Sequence, residues 1–167
     1  MDDSKKTKRS RTITWENPQE GARNAGSISG LDYLLAIRDG KISPPPAAML
    51  IGYRIVHVEE GRAVFELNPG EYHYNPFASV HGGIAATILD SAMTSAVMTV
   101  LPVGLACSTV DIHVSFIRPI TDTTGTVRCE AMPVHTGSRI ATARGELKDS
   151  KGKLYAHGVS TCMIFRV

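Results

Sequence analysis

The sequence predicts an α+β domain in which an antiparallel sheet wraps around one long central helix. Three observations carry that prediction. Residues 82–101 (GGIAATILDSAMTSAVMTVL) are a long apolar stretch opened by a glycine pair and stopped by Pro102. Two short strand patterns precede it. Four longer β-rich stretches with turn residues between them follow it. One apolar helix among antiparallel strands has to be covered by the sheet itself.

The elements follow in order. Residues 1–26 are polar, low in aliphatics and rich in Lys, Arg, Asn and Gly, the composition of a flexible lead-in. Ser29 with Asp32 three residues on, then Leu31, Leu34 and Leu35, and Gly40 as a stop, predict a short helix. Pro44, Pro45 and Pro46 forbid helix and predict an extended approach to the next element. Residues 1–46 thus read as a basic N-terminal segment with a short helix, and 47–167 as the folded domain. Residues 50–58 and 62–68 read as strands; Ala63, Phe65 and Leu67 alternate with Arg62, Val64 and Glu66, and Glu60-Gly61 marks a hairpin between them. After the loop 69–79 and the helix come four strands, 106–118, 125–136, 139–148 and 153–166, expected to form a meander.

Composition narrows the function. The chain has 167 residues, about one domain, and a net charge of +2. The excess lies in residues 1–12, where Lys5, Lys6, Lys8, Arg9 and Arg11 face only Asp2 and Asp3. A nearly neutral body argues against a nucleic-acid-binding domain. Asp90 in the middle of residues 82–101 argues against a membrane span, since a centred carboxylate costs ~3 kcal/mol on insertion. Cys107, Cys129 and Cys162 form no C-x-x-C pair, which suits a reducing compartment. No apolar stretch of signal-peptide length follows the charged start, so a cytoplasmic location is expected. Asp111 and His113 alternate on one strand face, but with no third ligand at recognisable spacing no metal site is expected. Cys107 lies beside Ser108 and Thr109 without a base placed for it by spacing.

Chemistry concentrates in residues 75–90. Gly82-Gly83 opens the helix, where the first backbone N–H groups have no intrahelical partner and the dipole favours negative charge. That place suits an anion or a developing oxyanion. Asp90 is the one ionisable residue of 82–101. Thr87, Asp90, Ser91 and Thr94 make a narrow polar stripe, with Ile84, Ile88 and Val100 on the other face. His81 and Asp90 are nine residues apart, about 13 Å of rise and about 900° of rotation, so they point to opposite sides of the helix. One reaction centre using both therefore requires a second subunit.

The run Asn75-Pro76-Phe77-Ala78-Ser79-Val80-His81-Gly82-Gly83, with Asp90 nine residues after the His, resembles the hotdog-fold acyl-CoA thioesterases of the phenylacetate-pathway (PaaI-like) type. The resemblance covers about residues 47–166, including Arg62–Leu67, Thr109–Pro119, Gly137–Lys148 and Gly152–Ala156. It implies a homodimer, often a dimer of dimers, that hydrolyses acyl-CoA to the free acid and coenzyme A with no metal or redox cofactor. Asp90 is then the acid acting across the interface, and Gly83, with Gly82 beside it, donates backbone N–H to the thioester oxygen. Asn75 orients water or carbonyl, His81 shapes the loop, and Thr109 or Ser108 supplies a hydroxyl near the acid. Arg118, Gly137, Ser138 and Arg139 are implied in holding the coenzyme A nucleotide and phosphates. One departure stands out: where the family has Gly three residues before the His, this chain has Ala78.

Two other readings compete. A hotdog dehydratase or hydratase pairs a loop histidine with a helix acid, and His73-Tyr74 is similar to its loop; its acid, however, falls near neutral Thr87. A non-catalytic acyl-CoA-binding dimer keeps the pocket but needs an output domain, and the lead-in has no helix-turn-helix pattern.

Overall fold

A computed structural model describes residues 8–23 and 25–167; Lys5 and Lys6 of the basic cluster lie outside them. In chain order the elements are α1 (Pro18–Ala22), α2 (Gly30–Arg38), α3 (Pro46–Ile51), β1 (Tyr53–Glu59), β2 (Arg62–Leu67), α4 (Gly82–Met98), β3 (Leu105–Phe116), β4 (Val127–Thr136), β5 (Ile140–Asp149) and β6 (Leu154–Arg166). The strands form one antiparallel sheet in the order β1-β2-β4-β5-β6-β3.

The sheet packs around α4, which buries Ala85, Ile88, Leu89, Ala92, Met93, Ala96 and Val97. Small residues let the helix come close. A Cβ on Gly145 of β5 would lie 3.1 Å from Met93 Cγ and 3.2 Å from Leu89 Cδ2. Leu89 and Met93 are fully buried, each contributing about 1.5–3 kcal/mol from burial. The β2 alternation is as read: Ala63, Phe65 and Leu67 enter the core. On the other face Glu66 is buried too, bonded to Arg54 at 2.6 Å and Arg128 at 2.8 Å.

Three expectations are corrected. The last four strands are not a meander. Only β4, β5 and β6 follow one another side by side, while β3 pairs along its length with β6 at the far edge, from Leu105↔Arg166 to Phe116↔Ala156. Alternation reports which face of a strand is buried, but not which strand lies beside it. Residues 117–126 carry the chain back, anchored where Val80 N–H donates to Ile120 O at 2.8 Å. Second, residues 50 and 51 end a helix rather than start a strand. Pro46 sits in the first turn of α3, where its missing N–H costs nothing, and Gly52, at φ 92°, closes that helix in the left-handed conformation. Third, α4 stops at Met98, three residues short, with Thr99 Oγ1 donating to Ala96 O at 2.7 Å.

Described residues before 47 reach this core at Gly26 and Gly30. Ser29 caps α2, its Oγ accepting from Asp32 N–H at 3.1 Å and donating to the Asp32 carboxylate at 2.6 Å. A Cβ on Gly30 would stand 2.1 Å from Met98 O, and one on Gly26 would stand 2.2 Å from Val167 Cγ2. The Gly30 contact is with backbone and is one that only glycine allows, while at Gly26 it is φ 86° that favours glycine. No described helix is long and apolar enough to cross a membrane.

Candidate active site

Asp90 lies half-buried on α4 and faces a cavity of about 930 Å³. Thr109 Oγ1 donates to its Oδ1 at 2.6 Å. Thr109 is itself 2.8 Å from Thr94 Oγ1. A hydroxyl has one proton, and that of Thr109 goes to the carboxylate, so Thr94 is the donor in the second bond. The bulge in β3 between Thr109 and Asp111 falls next to this contact, where an extra residue re-aims the strand. Of the two hydroxyls left open by the sequence, Thr109 makes the contact with Asp90; exposed Ser108 also lines the cavity.

The polar stripe is divided. Asp90, Ser91 and Thr94 line the cavity, whereas Thr87 turns back to donate to Gly83 O at 2.8 Å. Tyr53 was not marked by sequence reasoning; its hydroxyl is 2.9 Å from Ser91 Oγ and its ring lines the same cavity. Burial first, and the nearby Asp90 charge as well, hold its phenol above the usual range against the lowering effect of the Ser91 bond. A tyrosine opening an apolar strand was the available signal. It could not be tied to the helix without the fold.

The start of α4 is a separate cluster. Asn75 closes the preceding loop: its Oδ1 accepts from Phe77 N–H at 2.8 Å, and its own N–H donates to Ser79 O at 2.7 Å. Ala78 sits at φ 56°, the one non-glycine residue in the left-handed region among the described residues. His81 is the N-cap of α4, and its Nδ1 accepts from Gly83 N–H at 2.9 Å. The Gly83 donor is therefore held by the cap. Gly82 lines a second cavity of about 350 Å³ with Asn75 and Arg118, and a Cβ there would come within 3.2 Å of the Phe116 ring. Arg118 donates to Leu154 O at 2.7 Å.

His73 holds this loop in place. Its Nδ1 accepts from Gly70 N–H at 3.1 Å, which leaves Nε2 to donate to Ile51 O at 2.7 Å, and its carbonyl accepts from His81 N–H at 2.8 Å. Burial, with Arg11 nearby, keeps its imidazole below the usual value despite the Ile51 bond.

Asp90 and Thr109 line the first cavity, while Asn75, Gly82 and Arg118 line the second. Gly137, Ser138 and Arg139 form the β4–β5 turn and line neither; Ser138 and Arg139 are exposed there. Asp111 and His113 lie 3.5 Å apart, and among the described residues no three potential ligands cluster for a metal ion. A hydrogen bond with Cys162, then burial, push the Cys107 thiol up, the opposite of what a nucleophile needs.

Comparison with known proteins agrees with this architecture. The sequence profile of the thioesterase superfamily matches residues 77–156. A candidate esterase of Halobacterium salinarum is 39% identical over 77 residues, 45% of this chain and 45% of the relative, so the match spans less than half of that protein. A crystal structure described as a candidate thioesterase, a phenylacetic acid degradation-related protein of Ralstonia eutropha JMP134, is 29% identical. It covers 78% of this chain and 98% of its own, with a TM-score of 0.71. The PaaI protein of the E. coli phenylacetic acid degradation operon, 22% identical, shares the fold at a TM-score of 0.70 over 83% of this chain and 96% of its own. With the long helix wrapped by a six-stranded antiparallel sheet, the chain has the hotdog fold of these neighbours, and its residues 77–156 are similar to the thioesterase superfamily.

Proposed function

We propose that this protein hydrolyses acyl thioesters of coenzyme A, with Asp90 as the general base. The observation that carries the proposal is the Asp90 carboxylate on the wall of a large cavity, with one oxygen fixed by Thr109 at 2.6 Å. Thr109 occupies Oδ1, so Oδ2 is the oxygen that takes a proton from water. The hydroxide adds to the thioester carbonyl, the C–S bond breaks, and the thiolate leaves with a proton, so ester and water become acid and thiol. The developing oxyanion needs donors, and the N-terminus of α4 is suited to supply them.

Asp90 and the N-terminus of α4 line or adjoin different cavities of one chain, which supports a site completed by a second copy. The β3 edge supports the same reading. It is a 12-residue strand with one edge unpaired, and Val110, Val159, Met163 and Phe165 are exposed on β3 and its neighbour β6. Such an edge is a template for pairing with another chain. A homodimer, or a dimer of dimers, acting on acyl-CoA without a resident cofactor is the assembly proposed.

The cap between His81 and Gly83 favours one alternative, an acyl-CoA-binding protein that does not hydrolyse, because the implied donor is already engaged. Thiol release from a panel of acyl-CoAs separates the two. Wild type is expected to turn over, and Asp90→Asn, which keeps an acceptor for Thr109, is expected to lose on the order of 10²–10⁴ in kcat while remaining folded. Full activity in Asp90→Asn would remove Asp90 from the chemistry; binding without turnover by wild type would establish the alternative.

A further inference from the structure

The cavity at Asp90 extends well past the polar groups that hold the carboxylate. A second wall is built by residues that the thioesterase profile does not reach: Tyr33, Leu34 and Ile37 of α2, with Pro44, Pro45 and Ala48 beyond them. That wall is seated firmly. Gly30 places α2 directly on Met98 O, Leu34 is buried, and Ser43 hydrogen-bonds Glu16, so the residues just before α1 and the segment after α2 are tied together. Polar side chains gather round Asp90, while Tyr33, Leu34, Ile37 and Phe65 present apolar surface.

We infer that α2, with Pro44, Pro45 and Ala48, forms the acyl-selecting wall of this site, Tyr33, Leu34 and Ile37 setting the length of an apolar acyl group far larger than acetyl. The inference rests on the acyl-CoA reading above. About 930 Å³ lies at the large end of small-molecule pockets, and an acetyl group would leave most of the apolar wall in contact with water. Each further methylene laid against that wall raises binding about fourfold, so the cavity selects for longer chains until its wall stops them. Ile37 is half-buried, and a larger side chain there has the cavity to grow into.

The test uses the full chain, with acetyl-, hexanoyl-, decanoyl- and palmitoyl-CoA as substrates and the matching non-hydrolysable alkyl-CoA thioethers as binding probes. In Ile37→Trp the ratio of kcat/KM for decanoyl to acetyl is expected to fall on the order of tenfold or more. In Ile37→Ala, which introduces no bulk, palmitoyl is expected to gain relative to decanoyl. Hydrolysis with an unchanged chain-length profile in both variants overturns the inference and leaves the hydrolase reading standing. If wild type hydrolyses none of them, but Ile37→Trp weakens decyl-CoA thioether relative to ethyl-CoA thioether, the wall is supported and the hydrolase reading falls. No binding of any thioether overturns both.

Discussion

Replacing Ala78 with glycine should stabilise the protein. Ala78 holds φ 56° in the loop that presents His81 to α4, and the left-handed conformation costs a residue with a Cβ about 1–2 kcal/mol. Glycine removes that cost. Against it stands the greater freedom of glycine in the unfolded chain, about 0.4–1 kcal/mol. The Ala78 side chain is exposed, so no buried contact is lost. The difference is a net gain of roughly 0.5–1 kcal/mol, or about 1–4 °C in Tm for a chain of this size. Urea unfolding checks it: the midpoint should rise with an unchanged slope. Gly61→Ala is the matching control, because Gly61 has φ 74° and open space where a Cβ would go, and it should lower stability by a similar amount. A lower midpoint for Ala78→Gly would refute the reasoning, since it would mean that the alanine methyl stabilises the loop by more than its backbone strain costs.

Acid should weaken the fold through two groups. Burial opposes ionisation of Glu66, but its bonds to Arg128 and Arg54 outweigh that and hold its carboxyl below the usual range. Its stabilisation is therefore present above the unfolded value of about 4.3 and is lost as pH falls through the lower folded value. His73 is likewise depressed, so stability drops as pH falls from about 6.5 towards its folded value, where protonation of Nδ1 breaks the bond from Gly70. Urea midpoints measured from pH 8 to pH 3 should show both declines. Glu66→Gln should flatten the lower one, and at neutral pH it should cost about 1–2 kcal/mol, reduced from the fully buried case because both arginines are mostly exposed. A shared site makes a separate prediction. Mixing inactive Asp90→Asn with an inactive Gly82→Val chain, followed by subunit exchange, should restore up to about a quarter of wild-type activity on the general rule that the mixed dimer keeps one intact site of two. No recovery in verified mixed dimers would mean that Asp90 and Gly82 must come from the same chain, and would refute the shared site.

Much of this protein was legible in its sequence, where the signal was local. The glycine pair, the absence of other charge and the stop at Pro102 marked the central helix, because a buried helix has to be apolar over its whole length and its ends have to be relieved. The β2 alternation and the left-handed Gly61 likewise reflect constraints on a few adjacent residues. The Asn75-to-Asp90 run marked where chemistry would lie, since a lone carboxylate in an apolar helix is costly unless it is bonded. Only the tertiary structure decided which residues bond it. Thr109 reaches Asp90 because β3 crosses to the far edge, pairs with β6 and bulges beside the helix, and strand order is set by long-range pairing that alternation does not encode. The same holds for Tyr53 beside Ser91, and for α2, whose short apolar pattern predicts a helix but not its seat on Met98 or its place on the cavity wall. Local propensity chose the elements; packing across the chain chose their neighbours, and the candidate site is made of neighbours.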